Sequence, residues 1–215
     1  MSTQTCNDIP AEAERKSKRE GNRSIKSQRG KTHNVATWNV RSMYEEKLNI
    51  VQREMNRMDI DILGISEMKW IGSGHFRSAN NTVMYSGRNT HRKNDVGMII
   101  ANRVSKSSIG YKAVNDRIIY IRVRAHPVNI TFVQVYATTT SSEAADIEDF
   151  YNDLQEALND IPKKDILVIM RDWKAKIGKG EEPGTVGRHG LGNRNEAVER
   201  LLEFCEENAL FLANT

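Results

Sequence analysis

From Val35 onward the chain alternates between two hydrophobic periods. Val35 to Val40 reads as a strand, and Glu45 to Met58 as a helix with Leu48, Val51, Met55 and Met58 on one face. Ile60 to Ser66 is a second, buried strand. Short apolar runs follow at Thr82 to Ser86, Val96 to Ala101, Arg117 to Arg124 and Asn129 to Tyr136, the last two joined through a turn at His126 and Pro127 as in an antiparallel hairpin. A helix from about Glu143 to Asn159, capped by Ser141 or Ser142, buries Ile147, Phe150, Tyr151, Leu154 and Leu158. Asp165 to Met170 is a further buried strand. A Gly-rich loop from Gly178 to Gly192 and a helix from about Glu196 to Asn208 come next, and Leu210 to Ala213 begins another strand. Helices between strands, mixed with hairpins and without any internal repeat, predict an α/β or α+β sandwich of packed sheets with helices outside.

Length and composition narrow this to one folded domain and a tail. The chain has 215 residues, 38% of them hydrophobic, and four prolines, enough for one sizeable core. Residues 1–34 carry eight basic groups against four acids, so the whole formal net charge of +4 lies there. That segment is poor in large apolar residues, which predicts a basic disordered tail preceding a domain over 35–215. Such a tail attracts nucleic acid through counterion release or serves as a nuclear import signal; its plainer reading is a solvated extension. The two cysteines, Cys6 and Cys205, suggest neither a disulfide framework nor a metal-ligand spacing, which fits a reducing, intracellular compartment. No apolar run approaches the ~18 residues of a membrane span, and the N-terminus is too polar for a secretory signal. A soluble protein with no membrane partner is expected.

Several strands end in a residue able to do chemistry. Asn39 closes the first, Glu67 follows the second, Tyr136 ends the hairpin strand and Asp172 follows the run Asp165 to Met170. If the strands are neighbours, these ends share one rim. There an Asn and a Glu offer the oxygen ligands that Mg²⁺ prefers, with water and a substrate phosphate completing the octahedron, and an Asp can orient an attacking water. Singly, each residue has a plainer role: a turn former, a solvated carboxylate, a packed ring. Their order along the chain is what carries weight.

In that order the segments Thr37-Trp38-Asn39-Val40-Arg41, Ile62-Leu63-Gly64-Ile65-Ser66-Glu67, Val133-Gln134-Val135-Tyr136-Ala137 and Asp172-Trp173 resemble successive motifs of the endonuclease/exonuclease/phosphatase family. The likeness runs from about Val35 to Thr215. It is greatest to the endonuclease domains of non-LTR retrotransposons and the craniofacial development protein 2-like proteins that carry them. The resemblance implies a four-layer α/β sandwich with two mixed sheets flanked by helices. It also implies Mg²⁺-dependent hydrolysis of a DNA phosphodiester, with no small-molecule cofactor. Asn39 and Glu67 match the metal-site positions, Tyr136 the tyrosine that contacts the scissile phosphate, and Asp172 the aspartate that orients the water. Arg41, Trp173, Arg188 and Asn193 are the residues expected to touch nucleic acid.

Three departures from the family pattern bear on activity. Lys174 stands where the family has an asparagine, so it either pairs with Asp172 or reaches the phosphate as a point charge. Arg171 replaces a glycine, where local backbone strain is expected, and the family's Tyr-Ala-Pro-Thr reads Tyr136-Ala137-Thr138-Thr139. The family's C-terminal strands and Ser-Asp-His have no counterpart before Thr215, and the histidines at 33, 75, 91, 126 and 189 lie in no such motif. The expectation is a sandwich incomplete at its C-terminus, with an open sheet edge and lost transition-state stabilisation. Three readings compete: an endonuclease-type domain with impaired or lost catalysis; an active phosphodiesterase or phosphatase with Lys174 in the asparagine's place; and a nonenzymatic module that holds nucleic acid or protein.

Overall fold

The computed structural model describes residues 33–90, 95–137, 144–171, 184–187 and 196–213. Asp172, Trp173, Lys174, Arg188 and Asn193, the capping serines Ser141 and Ser142, and nearly all of the basic segment 1–34 lie outside the described residues.

Two mixed sheets form the centre. The first contains β1 (Val35–Asn39), β2 (Ile62–Ser66), β3 (Ser73–Ser78), β4 (Asn81–Ser86) and β5 (Val96–Ala101), in the spatial order β1-β2-β5-β4-β3. The second contains β6 (Ser108–Asn115), β7 (Ile118–Val123), β8 (Ile130–Val135) and β9 (Ile166–Arg171), in sequence order. β1 pairs parallel with β2, and β8 with β9; every other pairing is antiparallel. A parallel pair needs a crossover, and helices supply both: α1 (Glu45–Arg57) between β1 and β2, and α3 (Ala144–Asn159) between β8 and β9. A short α2 (Asn102–Ser105) links β5 to β6, and α4 (Glu196–Glu207) follows β9.

Strand alternation sorts the apolar side chains into three contiguous cores, and these define the layers. Leu63, Ile65, Val83 and Ile99 pack outward on Leu48, Val51 and Met55 of α1. Ile62, Met84, Met98 and Ile100 pack inward on Ile119, Ile121, Phe132 and Met170 of the other sheet. Ile118, Val133 and Val135 then pack outward on Phe150, Tyr151, Leu154 and Ala157 of α3, with Phe204 of α4. The result is helix, sheet, sheet, helix, the four-layer sandwich expected from the motifs. Met58, expected on the buried face of α1, lies past the helix end and is 50% exposed; Gln52 is buried on that helix instead. Leu210 to Ala213 is no strand among the described residues, because Leu212 makes only an isolated bridge to Val186. Arg171 continues β9 opposite Val135 without a left-handed backbone, so the strain expected from losing a glycine is not found there. Its guanidinium lies over the Phe150 ring, 5.6 Å from the centroid.

Two strands have no hydrophobic signature. β3 lies at an edge with mostly exposed side chains, and β6, at an edge of the other sheet, is interrupted by register shifts between Ser108 and Gly110 and between Ala113 and Asn115. Among the described residues the opposite edges are β1 and β9, where Val35, Trp38 and Ile166 are exposed. No described helix is long and apolar enough to cross a membrane.

Candidate active site

Both parallel pairs end at one rim. β1 and β2 run in register to Asn39 opposite Ser66, and β8 delivers Tyr136 from the other sheet. The Asn39 Nδ2 amide donates to Glu67 Oε1 at 2.8 Å, and the Tyr136 hydroxyl donates to the same oxygen at 3.1 Å. Three residues from three strands and two sheets thus meet on one carboxylate oxygen. Oε2 accepts no hydrogen bond among the described residues. Asn39 Oδ1 accepts from the Arg41 backbone N–H at 3.1 Å, which leaves that oxygen a second lone pair.

The backbone at the rim is unusual. Arg41, Ser42, Glu67 and Lys69 have φ values of 48°, 97°, 60° and 59°, a left-handed region that costs non-glycine residues of order 1–3 kcal/mol each. Backbone bonds hold it: Val40 N–H to Ser66 O at 3.1 Å, Ser42 N–H to Glu67 O at 2.7 Å and Met43 N–H to Met68 O at 2.9 Å. The β1–β2 ladder thereby continues past both strands. It turns Glu67 toward Asn39 while Met68 goes into the core.

Under the rim a buried polar strut crosses between the sheets. Gln134 Nε2 donates to Ser66 Oγ at 3.0 Å and to Val135 O at 3.2 Å, and Thr37 Oγ1 donates to Gln134 Oε1 at 3.4 Å. Gln134 and Ser66 are both fully buried. The strut exists because Gly64 has no side chain: a Cβ there would sit 1.9 Å from Gln134 Oε1. It fixes the spacing between Ser66, which carries Glu67, and Val135, which carries Tyr136.

Asp95, immediately before β5 and beside the end of β2, is a further charged group near this rim. It is 1% exposed, has φ 42°, and neither carboxylate oxygen finds a well-aligned hydrogen-bond partner among the described residues. Burial pushes its carboxyl up to about 6; the Arg88 backbone and guanidinium pull down, and the Asp116 charge pushes up. Arg88 is itself committed to Asp116, Nε to Oδ2 at 2.8 Å.

The site expectations fall into two groups. Asn39, Glu67 and Tyr136 are brought into contact, and Arg41 lies beside them, exposed, with its backbone bonded to Asn39. Asp172, Lys174, Trp173, Arg188 and Asn193 are outside the described residues, although Arg171 closes β9 just before Asp172. The strut of Thr37, Gly64, Ser66 and Gln134, and the buried Asp95, had no place in the sequence reading. The one usable signal was a lone amide, Gln134, inside an apolar run. The donors present are hard oxygens, which suit a hard cation. Among the described residues no group of three or more His, Cys, Asp and Glu stands ready to hold a metal, so the rim offers two protein oxygens and not a closed cage. An apolar cavity of about 570 Å³ lies elsewhere, between β1, β9, α3 and the α4 end, and Leu154, Val168 and Phe204 help line it.

Comparison with known proteins agrees with this architecture. The chain is 48% identical over 181 residues to craniofacial development protein 2 of Bos taurus, covering 84% of this chain and 31% of that protein. It is 47% identical over 181 residues to craniofacial development protein 2 of Tragulus javanicus, covering 84% and 32%. The chain therefore spans about a third of the length of the curated relatives it matches. Among solved structures it is similar to the endonuclease domain of TRAS1, a telomere-specific non-LTR retrotransposon, with TM-score 0.55, 16% identity and coverage of 82% of this chain and 70% of that one. An AP endonuclease from Archaeoglobus fulgidus gives TM-score 0.53, 19% identity and coverage of 82% and 71%. The 3′ phosphatase NExo from Neisseria, bound to a product DNA hairpin, gives 0.53, 20% identity and coverage of 68% and 60%. No family model matches the chain.

Proposed function

Starting from a chain that is homologous to craniofacial development protein 2 and has the endonuclease/exonuclease/phosphatase fold, we propose that it is an Mg²⁺-dependent DNA endonuclease-type domain of retrotransposon descent with impaired turnover. The observation that carries this reading is the meeting of Asn39 Nδ2 and Tyr136 OH on Glu67 Oε1. Glu67 Oε2 and Asn39 Oδ1 are the oxygens that would hold the cation, which keeps most of its waters. When bound, the cation supplies Lewis-acid polarisation of a phosphate oxygen.

The protein's own groups then have distinct tasks. Tyr136 steadies the Glu67 carboxylate and lies within reach of a phosphate placed beside it. Asp172 is assigned to orient water, and Lys174 to pair with it, which keeps Asp172 ionised but occupied. This pairing is the proposed cause of impairment. Arg41, Trp173, Arg188 and Asn193 are assigned to DNA contact, and the basic segment 1–34 to electrostatic attachment and nuclear import.

Nicking of supercoiled plasmid with Mg²⁺ tests the assignment. The expected result is slow nicking little above a Glu67→Ala background, raised about tenfold or more by Lys174→Asn. Rapid, Glu67-dependent nicking by the unaltered protein would overturn the impairment. No gain from Lys174→Asn would overturn its proposed cause. A salt-dependent gel shift, comparing the full chain with a variant beginning at Val35, tests the tail: equal binding would remove it from the interface.

A further inference from the structure

The rim does not end at Glu67. Two residues on, Lys69 is exposed, and Trp70 turns back against the fold with its indole N–H donating to Met43 O at 2.5 Å. Behind it Trp70 meets Tyr85 edge-on at 5.3 Å, and Phe76 of the β3 edge lies 5.8 Å from Trp70, tilted by 33°. Across from them stands Tyr44, the N-cap residue of α1, which makes no side-chain capping bond and is 67% exposed. Tyr44, Lys69, Trp70, Ile71, Phe76 and Tyr85 help enclose a groove of about 470 Å³, a volume in the range of small-ligand pockets.

Ordinary packing explains only part of this groove. Trp70 and Tyr85 are half-buried and belong to the core beside β1 and β2. Tyr44, Phe76 and Ile71 do not: all three are exposed, and they face one concavity next to a site suited to phosphate chemistry. Exposed aromatics beside cations form the platform on which unpaired bases stack. Lys69 is the cation of the groove lining and Glu45 its acid; Arg41, exposed, precedes the lining residue Ser42 in the chain. Only Met68 and Lys69 separate Glu67 from Trp70, so the rim and the groove lie at most ~10 Å apart along the chain.

We infer that this groove is a stacking subsite for an unpaired base of single-stranded or locally opened nucleic acid, with Tyr44 and Phe76 as the stacking faces and Lys69 and Arg41 on the flanking phosphates. The inference rests on the phosphodiester reading of the neighbouring rim, and it names the substrate as unpaired. Its partner is thus a nucleic acid strand and not an apolar peptide.

The test uses the full chain in EDTA, so that hydrolysis plays no part. The probe is a single-stranded oligonucleotide of about 12 nucleotides with 2-aminopurine at successive positions, followed by anisotropy for affinity and by 2-aminopurine fluorescence for stacking. The unaltered protein is expected to quench the probe. Tyr44→Ala and Phe76→Ala should each weaken binding about five- to tenfold and abolish quenching, and Tyr44→Phe should restore both. Arg41→Ala should weaken binding and lower its salt dependence while leaving quenching at saturation. The exposure of Tyr44 keeps its variants folded, which a thermal melt verifies. Three results each overturn the inference: no binding by the unaltered protein, binding and quenching that Tyr44→Ala leaves unchanged, or a duplex of the same sequence binding equally well. Plasmid nicking by the Lys174→Asn variant is read separately, so its failure with a stacked probe rejects only the phosphodiester reading, and the reverse pattern rejects only the subsite.

Discussion

Replacing Gly64 with alanine should damage the protein through one identifiable neighbour. The new Cβ would lie 1.9 Å from Gln134 Oε1, 2.7 Å from its Cδ and 3.1 Å from Met170 Cε. Backbone register fixes Gly64 between Thr37 and Met98, so the Gln134 carboxamide must move. Moving it breaks the 3.0 Å bond to Ser66 Oγ, and with Gln134 and Ser66 both at 0% exposure no water replaces it. A buried polar group stripped of its partner costs about 1–3 kcal/mol, and overpacking adds about 1–3 kcal/mol. We expect Gly64→Ala to lower stability by about 2–6 kcal/mol, or Tm by about 4–24 °C in a domain of this size. Urea unfolding followed by far-UV circular dichroism measures it, with the slope unchanged and the midpoint reduced. The decisive measurement is a double-mutant cycle. If Gln134 is the cause, Gly64→Ala should cost less in a Gln134→Ala background, by a coupling of about 1–3 kcal/mol. Costs that add to within about 0.5 kcal/mol would refute the strut as the reason for the glycine.

Three further changes have outcomes set by the structure. Asp95→Asn should stabilise the protein at pH 8 by up to ~3 kcal/mol: the buried carboxyl titrates at about 6 when folded and near 3.8 when unfolded, so its cost grows between those values, persists above them and vanishes near pH 4. Asparagine also tolerates the φ of 42° at this position, and an Asp95→Asn variant no more stable than the parent at pH 8 would contradict the account. Arg122→Ala should lower the urea midpoint, because it leaves the buried Asp165 side chain with only Thr131 at 3.0 Å among the described residues in place of the bonds from Arg122 Nε at 2.5 Å and Nη2 at 2.9 Å. Arg122 holds the Asp165 carboxyl below the usual carboxylate range, so this stabilisation is present above the unfolded pKa and lost as pH falls through the lower folded value; the variant should lose that part of the acid-unfolding curve. Tyr136→Phe should leave Tm nearly unchanged yet reduce nicking in the Lys174→Asn background by about tenfold or more; equal rates would remove the hydroxyl from the mechanism.

The sequence was legible where burial is one-sided or complete and opaque where it is neither. β2, β5, β7 and β8 each announced themselves as short apolar runs, and α1 and α3 by a helical stripe. β3 and β6 gave no such signal: solvent reaches most β3 side chains, and the register shifts in β6 break its alternation. The meeting of Asn39, Glu67 and Tyr136 could be anticipated because each stands just past a buried run. The strut could not. That Gly64 and Gln134 face one another across the sandwich depends on which sheet each strand joins and in what register, and neither residue type encodes that.

The proposed cutting of a strand at the rim and the proposed holding of one in the groove rest on different side chains. Four left-handed non-glycine residues store strain of order 1–3 kcal/mol each at one edge of the sandwich, and the backbone bonds from Val40, Ser42 and Met43, with the Gln134 strut beneath, keep it in place. Those supports aim Glu67 at Asn39 and Tyr136 and carry the chain on to Lys69 and Trp70, so the two paired strained segments build both the oxygen site and the wall of the aromatic groove. A change at Lys174 is proposed to act on the orientation of water by Asp172. Binding and turnover should therefore respond independently: substitutions at Tyr44 and Phe76 shift the affinity for a strand at unchanged rate per bound complex, and Lys174→Asn shifts the rate at unchanged affinity.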